Sequence, residues 1–485
     1  MTYQRIAQLK DRIHQVLFGL GGAALLGTLT TSAALAQSAA ASDDSLTWHG
    51  ITLYGIVDVG LQYETHGAPI SPYFPAGSND IVQPDSNRSV FGVTPSNLSQ
   101  SRIGLQGLEP IPEMGDWSGV FKLETFFNPQ SGNISDGEKS LTLNNGVALA
   151  NRTTGIDTSV AGQPFQQAFA GLSSPTYGTF TFGRQNTLLA DGVAKYDPNY
   201  ASQAFSVIGL SGTAGGGGDT EDRRLDESLK YVATFNHLVH LGLMYKFNQS
   251  TGGGNTAIQG DLGFEFAGAS VDAFYVKQYD AIAAGILSAA QVAELPTLAQ
   301  PAVAPAVPVP GSLGITATNA ITGTVSDTTT IGLMGLYNMG ALKFFAGYEN
   351  IKFENPSTPL LPGYVDIGGY RLAFVNNDAY TVEKILQVYW AGVRYTVVPD
   401  LDLAVAYYGY HQSAYGTGKD ANCSTNVSGT CSGALDAVSF DADYRLTKRF
   451  DAYAGLMYSV VYNGLSEGYL QRISVNPTIG IRYKF

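Results

Sequence analysis

Residues able to do acid–base or nucleophilic chemistry are few and scattered. The histidines after position 36 are His49, His66, His237, His240 and His411. They form no HExxH pair, and no serine is set in a strand–turn–helix elbow. GGGG at 215–218 has no Lys-Ser/Thr and no helix after it, so it reads as a flexible loop rather than a phosphate cradle. Cys423 and Cys431 lie eight apart in a Ser/Thr/Asn/Gly stretch. A disulfide pinning that loop is expected, and without matching histidines the pair makes a poor metal site. No catalytic residue, metal or cofactor is expected, and the chain does not read as an enzyme. What the sequence offers instead is charge in alternation with apolar residues. Arg102, Lys122, Glu124 and Lys230 share the parity opposite to their apolar neighbours, and Asp191 and Asp197 stand in the segment 187–223. Bases and acids facing each other across a narrow water gap set up a transverse field in which a polar solute can align its dipole.

Such residues need strands to hold them. Runs of about ten residues with alternating polarity recur along the chain, each followed by a turn. They start with TLYGIVDVGLQY (52–63), SRIGLQGL (101–108) and WSGVFKLETFFN (117–128), and end with RFDAYAGLMYSVVY (449–462) and ISVNPTIGIRYKF (473–485). Sixteen are counted, an even number as closure of an antiparallel barrel requires. Their connectors alternate between short ones (PTYG, NH, GA, VPD, TK) and long ones near 64–100, 129–165, 187–226, 280–328 and 354–384. The predicted fold is therefore an all-β, sixteen-stranded antiparallel transmembrane barrel with short periplasmic turns and long extracellular loops. It has an apolar outer face (Phe180, Phe182, Leu241, Leu243, Phe440) and a wet inner one. Parity also sends Asp58, Asp261, Glu265, Glu349, Asp441, Asp443, Lys246, Lys343, Arg445, Arg482 and Lys484 inward. The final strand is expected to pair with the first, leaving no open edge.

Composition agrees. Of 485 residues, 44% are hydrophobic and only 14% charged, too apolar for a disordered chain. Arg5, Lys10 and Arg12 precede the apolar run 17–29 and then Ala34-Leu35-Ala36, the pattern of a secretory signal peptide over residues 1–36. Residues 37–485 are then read as one barrel domain. Subtracting three bases and one acid from 27 bases and 40 acids leaves a net charge of −15, which argues against nucleic acid as a partner. After position 36 no apolar run is long enough for a membrane helix. The loop 280–328 opens with DAIAAGILSAAQVAEL, where Ile282, Ile286, Ala290 and Ala293 share a helical face, and continues into an extended Ala/Pro-rich insertion.

TLYGIVDVGLQYE, SRIGLQGLEPIPEMGDWSGVFKLETFFN, AFAGLSSPTYGTFTFGRQN, DESLKYVA and an aromatic end after IGIRYK resemble the general porins of Gram-negative outer membranes. The resemblance covers most of the chain after position 36. It implies a homotrimer in the outer membrane, in contact with lipid and lipopolysaccharide, that passes small hydrophilic solutes and ions by diffusion. It also implies a third long loop folded into the lumen as an eyelet, and a terminal Phe485 of the kind read by the barrel-assembly machinery. Arg102 and Arg224 match basic eyelet-wall positions of the family, with Lys122 and Lys230 beside them by parity. A third basic position falls on Gln166, a departure that weakens the basic side and leans the passage toward cations. YDPNYASQ (196–203) sits where the family loop bends into the pore, so Asp197 and then Asp191 are the expected acidic rim. Asp219, Glu221 and Asp222 are expected at the loop's exposed root. Arg184 shares the outward parity of Phe180 and Phe182, where a charge facing lipid is costly. It is expected to reach headgroups or a neighbouring subunit, with Glu138 in the second long loop as its partner. Two rival readings stand beside this one. One is a substrate-specific channel for an organic acid or sugar, using Tyr54, Tyr408, Tyr410 and Tyr453 as inward rungs. The other is a barrel adhesin or enzyme with a filled lumen.

Overall fold

The computed structural model describes residues 46–65, 89–127, 129, 165–208, 224–247, 256–286, 321–358, 365–367, 370–418, 430–466 and 472–485. The expected signal segment, Glu138, Cys423, Gly215–Gly218, Asp219, Glu221 and Asp222 fall outside them. Sixteen barrel strands follow in order: β1 (Ile51–Glu64), β2 (Val90–Pro95, resumed as Arg102–Pro110), β3 (Ser118–Phe126), β4 (Gln167–Ser174), β5 (Gly178–Asn186), β6 (Arg224–Phe235), β7 (Val239–Lys246) and β8 (Ala257–Phe266). The second half is β9 (Ala269–Ile286), β10 (Ile321–Met339), β11 (Leu342–Glu354), β12 (Lys384–Val398), β13 (Leu401–Gln412), β14 (Gly433–Arg445), β15 (Phe450–Asn463) and β16 (Ile473–Lys484). Each pairs antiparallel with its neighbours, and β16 pairs with β1 from Ile56–Lys484 to Gln62–Thr478. The sheet closes on itself, as the sequence predicts, and Phe485 completes the seam by exchanging backbone hydrogen bonds with Gly55 at 3.0 and 3.1 Å.

Period-two patterning fixes which way each side chain points. Ile103, Leu105, Phe180, Phe182, Leu243, Leu262, Phe264, Leu333, Phe440, Ile479 and Ile481 are exposed on the outside, an apolar belt with no water-soluble counterpart. The inner face is less uniform than expected. Along one arc, from β16 through β1 to β6, it is polar. From β7 to β15 it carries Met244, Phe274, Met334, Ile351, Leu386, Val388, Trp390, Tyr408 and Met457, all buried in one apolar cluster. The expectation of a wet inner face thus holds for only part of the wall: between β7 and β15 the third long loop packs on these apolar side chains, with charges such as Asp261, Glu349 and Asp441 buried among them and Glu265 left half exposed.

The insertion after residue 280 also departs from the sequence reading. Ala281–Ile286 pairs with Ile321–Ser326 past a register shift at Asp280, whose φ of 53° is left-handed. β9 and β10 therefore continue above the barrel as a ribbon, and residues 281–286 are strand rather than helix. Antiparallel pairing with 321–326 supplies their backbone bonds and overrides the local 3.6-residue pattern. Residues 321–324 pair further, in parallel, with 372–376. Residues 287–320 lie outside the described part.

Candidate functional site

The third loop begins as a helix, α1 (Leu188–Tyr196), where the sequence reading had only a loop. Thr187 caps it, its Oγ1 accepting from the Ala190 N–H at 3.0 Å. Leu188, Leu189, Gly192, Val193 and Tyr196 are buried, an i, i+1, i+4, i+5, i+8 stripe that lies against the wall. Burial of each such leucine or valine contributes ~1.5–3 kcal/mol. Gly192 is needed there, since a Cβ would stand 2.4 Å from the Phe274 ring. The helix descends along β8. The Leu188 N–H donates to Gln259 at 2.8 Å, and Lys195, one residue from the other end, pairs with Glu265 at 2.8 Å and Asp272 at 3.2 Å.

Beyond α1 the chain crosses to β12–β14. Trp390 Nε1 donates to the Tyr196 carbonyl at 3.0 Å, and Arg394 Nε to the Pro198 carbonyl at 3.2 Å. Arg394 also pairs with buried Asp441 at 3.3 Å. Asn199 Nδ2 donates to the Tyr408 hydroxyl at 3.1 Å and to Ser439 at 2.8 Å. Pro198 rests on Gly392, where a Cβ would lie 2.4 Å from the proline ring. Arg394, Trp390, Asn199 and Asp441 thus clamp the loop. Only Asp441 was singled out from the sequence, and its role was not. Parity from Val388 marks Trp390 and Arg394 as inward, but nothing local says what they meet.

The loop's acids are not an open rim. Asp197 is fully buried at the end of α1 and accepts from the Tyr408 hydroxyl at 2.6 Å and the Ala201 N–H at 2.7 Å. Burial pushes its carboxyl above the usual range, against the pull of the Tyr408 hydroxyl. The sequence assigned it to the water-facing rim; the structure makes it an internal tie, because the loop leans on the wall instead of hanging free. Asp191 was placed opposite the basic wall, yet it forms an ion pair with Lys230 of that wall and accepts from Asn186 at 3.0 Å. The first turn of α1 starts beside β6, so these two charges meet at the loop's root.

The basic residues do converge. Glu124, 1% exposed, lies 3.7 Å from Arg102 Nε and 3.5 Å from Lys122 Nζ, and accepts from the Tyr54 hydroxyl at 2.8 Å and Gln167 at 2.9 Å. Arg224 stacks on Phe126, 4.6 Å from the ring centre. Gln166 is buried next to them, its N–H donating to the Glu124 carbonyl at 2.8 Å. Arg102 and Lys122 keep 34% and 23% of their side chains exposed to the lumen. They line the arc that the loop leaves uncovered.

Arg184 and the inward tyrosines acquire neighbours that the sequence did not indicate. Arg184 pairs with Asp226 of β6, across a register shift between Gly183 and Gln185, so its charge is met within the chain. Of the four inward tyrosines, Tyr408, Tyr410 and Tyr453 are buried beneath inner segments and offer no rungs. Cys431 is disulfide-bonded.

Comparison with known proteins agrees with this geometry. A family profile described as Gram-negative porin matches residues 22–461. An outer membrane porin protein of Bordetella pertussis is 28% identical over 223 residues, 46% of this chain and 48% of that protein, so the match spans about half the relative's length. Among solved structures, an anion-selective porin from Comamonas acidovorans superimposes with a TM-score of 0.56 at 17% identity, covering 90% of this chain and 99% of its own. The trimer form of OmpT, an outer membrane protein of Vibrio cholerae, gives 0.50 at 13%, with 90% and 99% covered. Sixteen strands closed around an inward loop, and a family match over most of the sequence, lead to one conclusion: the chain belongs to the Gram-negative porin family and is a β-barrel of the bacterial outer membrane.

Proposed function

We propose that the protein is a passive channel for small hydrophilic solutes and ions, whose passage runs between the third loop and the arc of β1–β6. The observation that carries this is the lumen exposure of Arg102 and Lys122 on a stretch of inner wall that the loop does not cover. No bond-making chemistry is required of the chain, only a wet path with fixed charges along it. The cation lean read from the sequence relied on Asp197 and Asp191 facing water. With Asp197 buried and Asp191 held by Lys230, the inward charges described along the arc include Arg102, Lys122, Arg224 and Lys230 against Glu124, Asp191 and buried Asp58. That surplus of bases favours anions. The rival reading as a sugar or organic-acid channel loses its ladder once three of its four tyrosines are covered.

The outer face of β2–β4 supports assembly as a homotrimer. Gly107, Leu108, Gly119, Phe121 and Ala170 line a shallow apolar depression of about 450 Å³ there, beside exposed Ile103, Leu105 and Leu123. The remaining apolar belt would meet lipid. Reconstitution into planar bilayers tests the channel: stepwise ohmic currents are expected, with a reversal potential of anion sign in a salt gradient. Silent bilayers containing folded protein would refute the reading, and a cation-sign potential would refute only the selectivity.

A further inference from the structure

Between Pro95 and Arg102 the second strand leaves the barrel wall. Six residues, 96–101, stand opposite only Val57 and Asp58 of β1, and the surplus backbone turns inward. Ser96 takes a left-handed φ of 61°, a conformation that costs ~1–3 kcal/mol and persists only where surrounding bonds over-determine it. Asp58 supplies those bonds. Its carboxylate accepts from the Leu98 N–H at 3.0 Å, the Ser99 N–H at 2.7 Å and the Tyr453 hydroxyl, and its carbonyl accepts from the Ser96 N–H at 2.8 Å. Arg482 adds a bond to Ser99 Oγ at 2.7 Å.

Residues 202–205 of the third loop dock on this shoulder. The Ala204 N–H and the Ser202 hydroxyl both donate to the Asn97 carbonyl, at 2.9 and 2.7 Å. Gln203 Nε2 donates to Gln100 Oε1 at 2.6 Å. Leu98, Ala204, Phe205 and Tyr453 close over one another as a small apolar cluster separate from the main one. The Asn97 amide, meanwhile, reaches the Thr94 carbonyl and the Tyr453 hydroxyl, both at 3.3 Å.

We infer that residues 96–101 are the fixed jaw of the constriction, and that docking of residues 202–205 of the third loop on this jaw sets the aperture. The inference rests on the channel reading above and adds to it a set of positioning residues: Asp58 and Asn97 hold the jaw, and Gln100 with Gln203 makes the contact that closes the ring. The ring is continuous. It runs from the Asp191–Lys230 pair along α1, over Arg394 and Tyr408, onto Asn97, and through Gln100 into Arg102 and the basic arc. The stretch 188–205, tied to Lys230 at its start and to Asn97 at Ser202 and Ala204, cannot swing across the lumen without breaking the jaw contact.

Two measurements on the full chain test this. In the double variant Gln100→Cys with Gln203→Cys, mild oxidation is expected to cross-link the two sites and to bring the single-channel conductance from the raised value of the reduced protein back to that of wild type. Absence of a cross-link, or a cross-link that blocks the current, would place the working position of the loop elsewhere and overturn the inference. In Gln100→Leu, which removes the acceptor but keeps the shape, conductance is expected to rise about twofold, because the narrowest cross-section governs conduction. Gln100→Glu, which keeps an acceptor for Gln203, should return the aperture, read as exclusion of neutral sugars by size. A Gln100→Leu channel with wild-type conductance and exclusion would sink the proposal. Silent wild-type bilayers would count against the channel reading alone, since the cross-link is read without current.

Discussion

The two sides of the lumen wall are made by the same rule and end in opposite states. On both, every second residue points inward. From β16 to β6 those residues include Arg482, Asp58, Arg102, Lys122, Glu124 and Lys230, and they keep contact with water or with polar partners. From β7 to β15 they include Phe274, Met334, Ile351, Trp390 and Met457, and they pack against the third loop as a soluble core would. The difference shows that a barrel interior need not be wet to surround a wet path. One side provides the passage; the other provides the anchorage that keeps the loop out of it.

Breaking the anchorage should cost most. Trp390→Ala removes a buried indole and its bond to the Tyr196 carbonyl, with an expected loss of ~3–5 kcal/mol read from thermal unfolding of the purified barrel. Arg394→Met leaves Asp441 buried without its cation, a cost of about 3 kcal/mol or more that Arg394→Met with Asp441→Leu should largely recover. Denaturant midpoints of the single and double variants check this. A double variant no better than the single would mean the pair matters for more than charge balance.

On the passage side the effects turn electrical. Arg102→Ser with Lys122→Gln should move the reversal potential toward cations; adding Glu124→Gln, so that this buried carboxylate is not left without its cations, should keep that direction, since two bases leave with one acid, while sparing stability. The smallest effect is expected at Asp197. Asp197→Asn should leave the reversal potential unchanged, since the carboxyl is buried, and any clear shift would return it to the rim. Its raised carboxyl also has a pH signature. The folded chain holds that proton more tightly than the unfolded one. The resulting stability is complete below the ordinary carboxylate range and is lost as pH rises through the raised folded value. Unfolding midpoints of wild type should therefore carry a downward step with rising pH that Asp197→Asn lacks.

Local pattern carried some of these features and not others. Parity alone placed Arg102, Lys122, Glu124 and Lys230 on one inner face, and the structure gathers Arg102 and Lys122 around Glu124. It could not show that Asp191 would meet Lys230, or that Asp197 would be sealed under Tyr408, because those contacts join segments tens to hundreds of residues apart. The strand β12 held a sign that went unused. In ILQVYWAGV both faces are apolar for several residues, so something had to cover the inner one. The jaw at 96–101 left no such sign. Ser-Asn-Leu-Ser-Gln-Ser reads as the end of a loop, and only Asp58, across the strand pair, turns it into a structure.

By itself the sequence determined the strand count, the inward and outward faces and the closure of the last strand on the first, since alternation along each strand is enforced residue by residue by the pleat. Tertiary structure decided which inward charges stay solvated, where the third loop comes to rest and what holds its residues 202–205. Those outcomes depend on burial and pairing between distant segments, and a carboxylate such as Asp197 has the same neighbours in sequence whether it faces water or a buried tyrosine.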